Sequence, residues 1–180
     1  MSELGYFHQI NTRLLEWSIE SRDHVMIKIL KAHYGENLKL VRELLVEYVQ
    51  SLGFNLDFQD FEKELEEFPG EYIPPNGGLL LALYDNQLAG CVALRKFNEG
   101  ICEMKRLYVR PAFRGKGIGK ALANTIIRDA TENGYKSIRL DTIPTMKAAI
   151  SLYHSLGFKV IAPYRYNPIK GSKFMELILK

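Results

Sequence analysis

The stretch Leu107-Tyr108-Val109-Arg110-Pro111-Ala112-Phe113-Arg114-Gly115-Lys116-Gly117-Ile118-Gly119-Lys120 passes from an apolar strand pattern, through a turn, into a helical period. Before it, residues 101 to 110 read as a strand. After it, Ile118, Leu122, Ile126 and Ala130 share one helix face that stops at Asn133-Gly134. A strand-to-helix junction brings unpaired backbone N–H groups and the positive end of a helix dipole to one surface point. Glycines let a ligand approach that backbone with no Cβ in the way, and Arg114 and Lys116 add positive charge. Three glycines at alternate positions weaken a helix start unless the backbone itself is used, so the junction reads as a phosphate cradle.

Two other phosphate motifs fail on the letters. The dinucleotide fingerprint GxGxxG requires glycine at 120, or at 122 in the next register, where the chain has Lys120 and Leu122. A GxxxxGK[ST] loop ending at Lys120 requires glycine at 114 and a hydroxyl at 121, where Arg114 and Ala121 stand. Nucleotides such as ATP and NAD are therefore disfavoured.

Upstream, Val25 to His33 suits a first strand. Leu38, Val41, Leu45, Tyr48 and Leu52 then recur at steps of three and four, as one face of a helix stopped by Gly53. A second helix is expected from an Asp57 cap through Phe58, Phe61, Leu65 and Phe68 to Pro69-Gly70. Three strands at 79 to 84, 88 to 97 and 101 to 110, joined by short turn-rich links, form an antiparallel meander. Downstream, Ser137 to Thr142 reads as a strand and Thr145 to Leu156 as a helix. Strands near Phe158 to Ile161 and Lys173 to Leu179 close the chain. The pattern predicts an α/β domain with one mixed central sheet flanked by helices. Residues 8 to 21 carry Ile10, Leu14, Trp17 and Ser21 at helical spacing, so residues 1 to 24 read as a helical extension before a domain at 25 to 180.

Composition narrows the class. The 180 residues suffice for one domain, and 47% hydrophobic with 25% charged residues excludes a disordered chain. A net charge of +3 is too small to indicate nucleic-acid binding, and no apolar run approaches the roughly 20 residues of a membrane span. With no secretory pattern in Met1 to Asp23, a cytoplasmic protein is expected. Cys91 and Cys102 lack a CxxC pair or a histidine at zinc spacing, so two buried thiols are expected, with neither disulfide nor metal.

Arg114-x-x-Gly117-x-Gly119, following Leu107-Tyr108-Val109-Arg110-Pro111, resembles the acetyl-CoA site of the GCN5-related N-acetyltransferases (GNAT). The likeness continues through Ile138-Arg139-Leu140-Asp141-Thr142 and Ala149 to Phe158, and covers about Val25 to Lys180. It implies the acyl-CoA N-acyltransferase fold, in which two neighbouring strands splay apart to admit the pantetheine arm of acetyl-CoA, the cosubstrate. The matching positions are Leu107, Tyr108 and Val109 for the arm, and Arg114, Gly115, Lys116, Gly117, Ile118, Gly119 and Lys120 for the pyrophosphate. The reaction implied is direct acetyl transfer to a primary amine of a small molecule, amino acid or peptide. The alternative is a sensor that binds acyl-CoA without turnover. Family analogy allows a homodimer, and neither nucleic acid nor membrane is expected as a partner.

An amine near pKa 10.4 is only about 0.1% neutral at pH 7.5, a cost of roughly 4 kcal/mol that calls for a base or a desolvating pocket. By resemblance Tyr153 is the acid that protonates the departing thiolate. Phenol to thiolate is uphill by roughly 2 kcal/mol, so this proton moves as the bond breaks. Glu103, on the strand beside the expected acceptor site, is the candidate base, and pairing with Lys105 is its competing role. His154 points about 100 degrees away round the helix and reads as surface. The first two helices, the loop Gly70 to Gly78 and a closing segment with Tyr164, Tyr166 and Asn167 are expected to form the acceptor pocket. Gly117→Asp, which puts bulk and negative charge into the cradle, is expected to abolish acetyl-CoA binding while leaving a folded protein. Calorimetric titration checks it, and wild-type affinity in the variant would refute the cradle.

Overall fold

In the computed structural model, which describes residues 17–20, 26–52 and 61–180, one eight-stranded mixed sheet organises the chain. The strands are β1 Trp17–Glu20, β2 Met26–Lys31, β3 Gly78–Tyr84, β4 Gln87–Asn98, β5 Ile101–Val109, β6 Ser137–Thr142, β7 Lys159–Ile161 and β8 Lys173–Ile178. Their spatial order is β1-β2-β3-β4-β5-β6-β8-β7. Every neighbouring pair is antiparallel except β5 and β6, which run parallel. The β3–β4 turn is Asp85-Asn86, both at positive φ (48° and 61°), the twist that a tight hairpin requires. Parallel β5 and β6 need a crossover, and helix α3 (Ile118–Glu132) supplies it.

Helices cover both faces of the sheet, which explains why β3 reads as a nearly continuous apolar run. Leu80 and Ala82 face the cluster built on Leu122, Ile126, Ile138 and Phe158. Leu79 and Leu81 face the cluster built on Val41, Leu44 and Leu45 of helix α1 (Gly35–Leu52). Helix α2 (Phe61–Glu66) lies on the α1 side through buried Phe61, and helix α4 (Lys147–Ser155) follows β6. Cys91 and Cys102 are both buried thiols, and burial pushes each up to about 12. Among the described residues, no helix is long and apolar enough to cross a membrane.

Two expectations shift. Trp17–Glu20 is a strand and not the end of a helix, pairing with β2 from Trp17 opposite Ile29 to Glu20 opposite Met26. The open edge of β2 offers a row of backbone partners that outweighs weak local helical spacing. The rest of that expected helix, 8 to 16, lies outside the described residues, as do the Asp57 cap and Phe58 of the second helix. That helix ends at Glu66, so Phe68 packs from the following turn, against Tyr72 at 6.5 Å.

Leu122 is fully buried on α3 beneath the sheet. Leu122→Ala is expected to lower the unfolding free energy by about 2–5 kcal/mol, measured by urea denaturation, with the m-value unchanged.

Candidate active site

The cradle is formed where β5 gives way to α3. A short 3-10 turn at Pro111–Phe113 breaks the strand, and the chain then passes Gly115 and Gly117 in the left-handed region, at φ 77° and 83°. A Cβ at either glycine would meet nothing within 4 Å, so both are set by backbone conformation and border open space. Gly117 occupies the N-cap position without a side-chain cap, and the first intrahelical bond is Ala121 N–H to the Gly117 carbonyl at 3.0 Å. Among the described residues, the N–H groups of Gly115 to Lys120 have no protein acceptor. The helix has no acidic residue in its first turn, and Arg114, Lys116 and Lys120 surround its positive end. Such a start is unfavourable for the helix alone and favourable for a bound anion. Lys116 is folded over the Tyr84 ring at 4.4 Å, and Arg114 donates Nε–H to the Val109 carbonyl at 3.1 Å.

Next to the cradle the sheet opens. β5 and β6 pair only from Ile101 opposite Ser137 to Glu103 opposite Arg139. Beyond that point β5 continues along β4 to Val109, and β6 continues along β8 to Thr142. A cleft lies between the parted strands, lined by Leu107 of β5, Leu140 and Asp141 of β6, Tyr48 of α1 and Tyr153 of α4. The cradle lies beside the cleft: it follows the end of β5, and a Cβ on Gly119 would stand 3.7 Å from Val109 of β5 and from Leu152, the neighbour of Tyr153 on α4.

A β-bulge orients β5 within the cleft. Cys91 opposes Tyr108 and Ala93 opposes Lys105, so β5 carries one extra residue there, with Arg106 at φ 58°. The bulge resets the alternation. Lys105, opposite Ala93, and Tyr108 both belong to the α1 face, while Leu107 and Val109 pack toward α3. At the end of β5, Arg110 clamps α1 through Glu47, with Nε–Oε2 at 2.9 Å and Nη2–Oε1 at 2.6 Å.

On the α1 face an ionic cluster closes the cleft. Arg106 donates two parallel hydrogen bonds to Glu64 of α2, at 2.9 and 2.6 Å, with its guanidinium over the Phe61 ring. Burial alone would raise the Glu64 carboxyl, but the hydrogen bonds and charge of Arg106 outweigh it and hold it below its ordinary value. Glu103 is fully buried and accepts from Tyr164 Oη at 2.8 Å and Arg95 Nε at 3.0 Å. Arg165 approaches it at 3.3 Å and also holds Asp141, which accepts from Asn167 Nδ2 at 2.8 Å. Lys105 is only 6% exposed, and burial first, then the charge of Arg106, pulls its ammonium down to about 7 against the opposing pull of Glu103. Burial pushes the Tyr153 phenol up, so it stays protonated at neutral pH.

The expected site residues fall in two groups. Leu107 and Tyr153 line the cleft and Arg114 to Lys120 form the turn into α3 beside it, with Gly119 close to Val109, whereas the Tyr108 side chain turns to the opposite face, against Tyr48 at 5.7 Å. Glu103 lies in the ionic cluster, where its carboxylate is engaged by two arginines and a tyrosine, an arrangement suited to holding them more than to taking a proton. Arg95 and Arg165 are its ion-pair partners, and its charge also acts on Lys105. Tyr164 and Asn167 join the cluster, while Tyr166 is 77% exposed and His154 lies on the surface. Sequence reasoning passed over Arg95, Arg106, Asp141 and Arg165. Lys105-Arg106 was the available signal, because two adjacent charges in an apolar strand break its alternation as a bulge does.

The depressed Glu64 carboxyl adds stability above its unfolded pKa, and that contribution is lost as pH falls through its folded value. Melting temperatures followed from pH 7 down to pH 3 are expected to fall less steeply in Glu64→Gln than in the wild type. Equal slopes would mean that Glu64 is not depressed.

The acetyltransferase (GNAT) family profile matches residues 39–158. An N-acetyltransferase of Schizosaccharomyces pombe is 41% identical over 153 residues, covering 84% of this chain and 94% of that protein. Human N-acetylaspartate synthetase is 38% identical over 132 residues, 73% of this chain but 40% of the human protein. The crystal structure of a GNAT-family acetyltransferase from Staphylococcus aureus superimposes with a TM-score of 0.69 at 23% identity, over 86% of this chain and 99% of that one, which establishes the shared fold. The chain belongs to the acetyltransferase (GNAT) family and is an acetyl-CoA-dependent acyltransferase.

Proposed function

We propose that residues 25–180 form a unit that passes the acetyl group of acetyl-CoA directly to the primary amine of a small molecule, an amino acid foremost. The observation that carries this is the placing of the cradle beside a cleft that has Tyr153 on its α4 side and a charged cluster on its α1 side. The unpaired N–H groups of Gly115 to Lys120 and the positive end of α3 suit the pyrophosphate. The edge of β5 at Leu107 to Val109, left without a strand beside it, suits the amide-bearing pantetheine arm. The residues present therefore fit the cosubstrate. A backbone N–H on this edge of β5 is the candidate donor to the developing oxyanion.

On the acceptor side, Arg95, Arg106 and Arg165 already hold carboxylates of the chain, the geometry in which guanidinium recognises a carboxylate. An amino acid offers both that group and the nucleophilic nitrogen. The naming of one relative as an N-acetylaspartate synthetase supports the same class. Tyr153 supplies the proton that the departing thiolate takes up, and its burial keeps that proton in place until it is needed. The Arg165 contacts tie the segment after β7 to Glu103 and to Asp141, which lines the cleft.

Tyr153→Phe is expected to lower kcat with an amino-acid acceptor by on the order of 10² while calorimetric acetyl-CoA affinity stays unchanged. In a screen of amino acids, polyamines and peptides, transfer to amino acids is expected to dominate. Acetyl-CoA binding with no turnover on any of them would favour the sensor reading.

A further inference from the structure

The parting of β5 and β6 has a closed end. The last paired residues are Glu103 and Arg139, so Met104 and Leu140 are the first residues past the fork. Both side chains are buried, belong to the α3 face and line the cleft. Each is flanked in the sheet by a fully buried side chain: Met104 stands opposite Leu94 of β4, and Leu140 opposite Met175 of β8. Ala149 and Tyr153 of α4 complete this end, with the Tyr153 ring packed against fully buried Phe158 at 5.8 Å. Walls packed this densely resist added bulk.

The space in front of Met104 and Leu140 is small. The cleft has a free volume of about 60 Å³. An apolar cavity of about 150 Å³ takes one benzene, so each heavy atom needs roughly 25 Å³, and this cleft has room for about two or three. An acetyl group has three heavy atoms and a butyryl group five. Thr142 Oγ1 donates to Met146 Sδ at 3.7 Å, which holds the Met146 side chain along the β6 wall of the same cleft. The cradle lies at the opposite, open end of the parting, where β5 runs out at Val109 and α3 begins. An arm that starts on the cradle and follows the free edge of β5 therefore has its far end directed at the fork. The carbonyl carbon of a thioester holds its sulfur, oxygen and acyl carbon in one plane. With the sulfur toward the cradle and the oxygen on a β5 N–H, the acyl chain is left facing Met104 and Leu140.

We propose that Met104 and Leu140 form an acyl-length stop, which admits the acetyl group and turns away chains of four carbons or more. The stop deepens the acetyl-transfer reading above and rests on its placing of the arm along β5. A butyryl group needs two heavy atoms more than acetyl, roughly 50 Å³ on the same scale and close to the whole free volume of the cleft. Forcing it in displaces the packed walls or holds the thioester carbonyl away from its β5 donor. Met104→Ala removes three heavy atoms, roughly 75 Å³, which is enough for the longer chain.

Binding and turnover test the stop separately. Calorimetric titration without acceptor uses coenzyme A carrying an S-ethyl or an S-butyl thioether, stable mimics of the two acyl lengths. The wild type is expected to bind the S-butyl form about tenfold more weakly than the S-ethyl form, and equal affinities overturn the proposal. In Met104→Ala the ratio of the two affinities is expected to shift by about tenfold toward S-butyl. Met104→Val, which shortens the side chain and suits a strand, takes its place where the alanine variant does not fold. An unchanged ratio in a folded variant overturns the assignment. In transfer assays with an amino-acid acceptor, wild-type kcat/KM for butyryl-CoA is expected to lie on the order of 10² below that for acetyl-CoA, and the Met104 variant is expected to narrow the gap by about tenfold. Discrimination between the thioethers with no transfer from either acyl-CoA defeats the amine-transfer reading and leaves the stop standing. Transfer from both at similar rates defeats the stop alone, and binding of neither thioether defeats both.

Discussion

Three residue pairs join β5 to β6, and then the two strands part while each stays paired on its other side. Parallel strands in a buried sheet normally continue their ladder, because every N–H and C=O left without a partner costs stability. Here the parting is held open from both flanks. The bulge at Arg106 bends β5 toward α1 and α2, where the Glu64 pair anchors it, and β6 is drawn toward β8 along its full length. The cleft, the approach of α4 and the position of Tyr153 all follow from that separation.

The start of α3 shows the same trade in a different form. A helix favours an N-cap side chain and acidic residues in its first turn, and α3 has neither, with lysines and an arginine in their place. Its buried face, through Ile118, Leu122 and Ile126, holds the helix against the sheet firmly enough for the exposed end to be poorly satisfied. Local rules fail at the point where, on the proposed reading, the pyrophosphate completes them.

Most of the sheet and the glycine-rich junction into α3 were legible because each strand and helix carried its own period and its own stop signal. β6 matches its expected span, and α3 runs between the glycines and the Asn133-Gly134 stop. β1 was illegible because its strand character comes from the edge of β2 and not from its own letters. The ionic cluster was only half legible. Glu103, Tyr164 and Asn167 were expected in one region and do share a cluster, but the arginines that join it come from residues 95 and 165, and nothing local pairs such distant charges. The bulge decided which face Lys105 and Tyr108 take, and a single inserted residue is nearly invisible in a strand whose two faces are both buried.

The two halves of the site are made of different material. On the proposed reading, recognition around the start of α3 and the edge of β5 falls to the main chain, which is common to every residue type. On the α1 side it falls to side chains borrowed from β4, β5, α2 and the segment after β7. Substitutions can therefore rewrite the choice of acceptor without touching the apparatus that reads the donor, so that one inherited scaffold is free to diverge in what it modifies while remaining constant in what it spends.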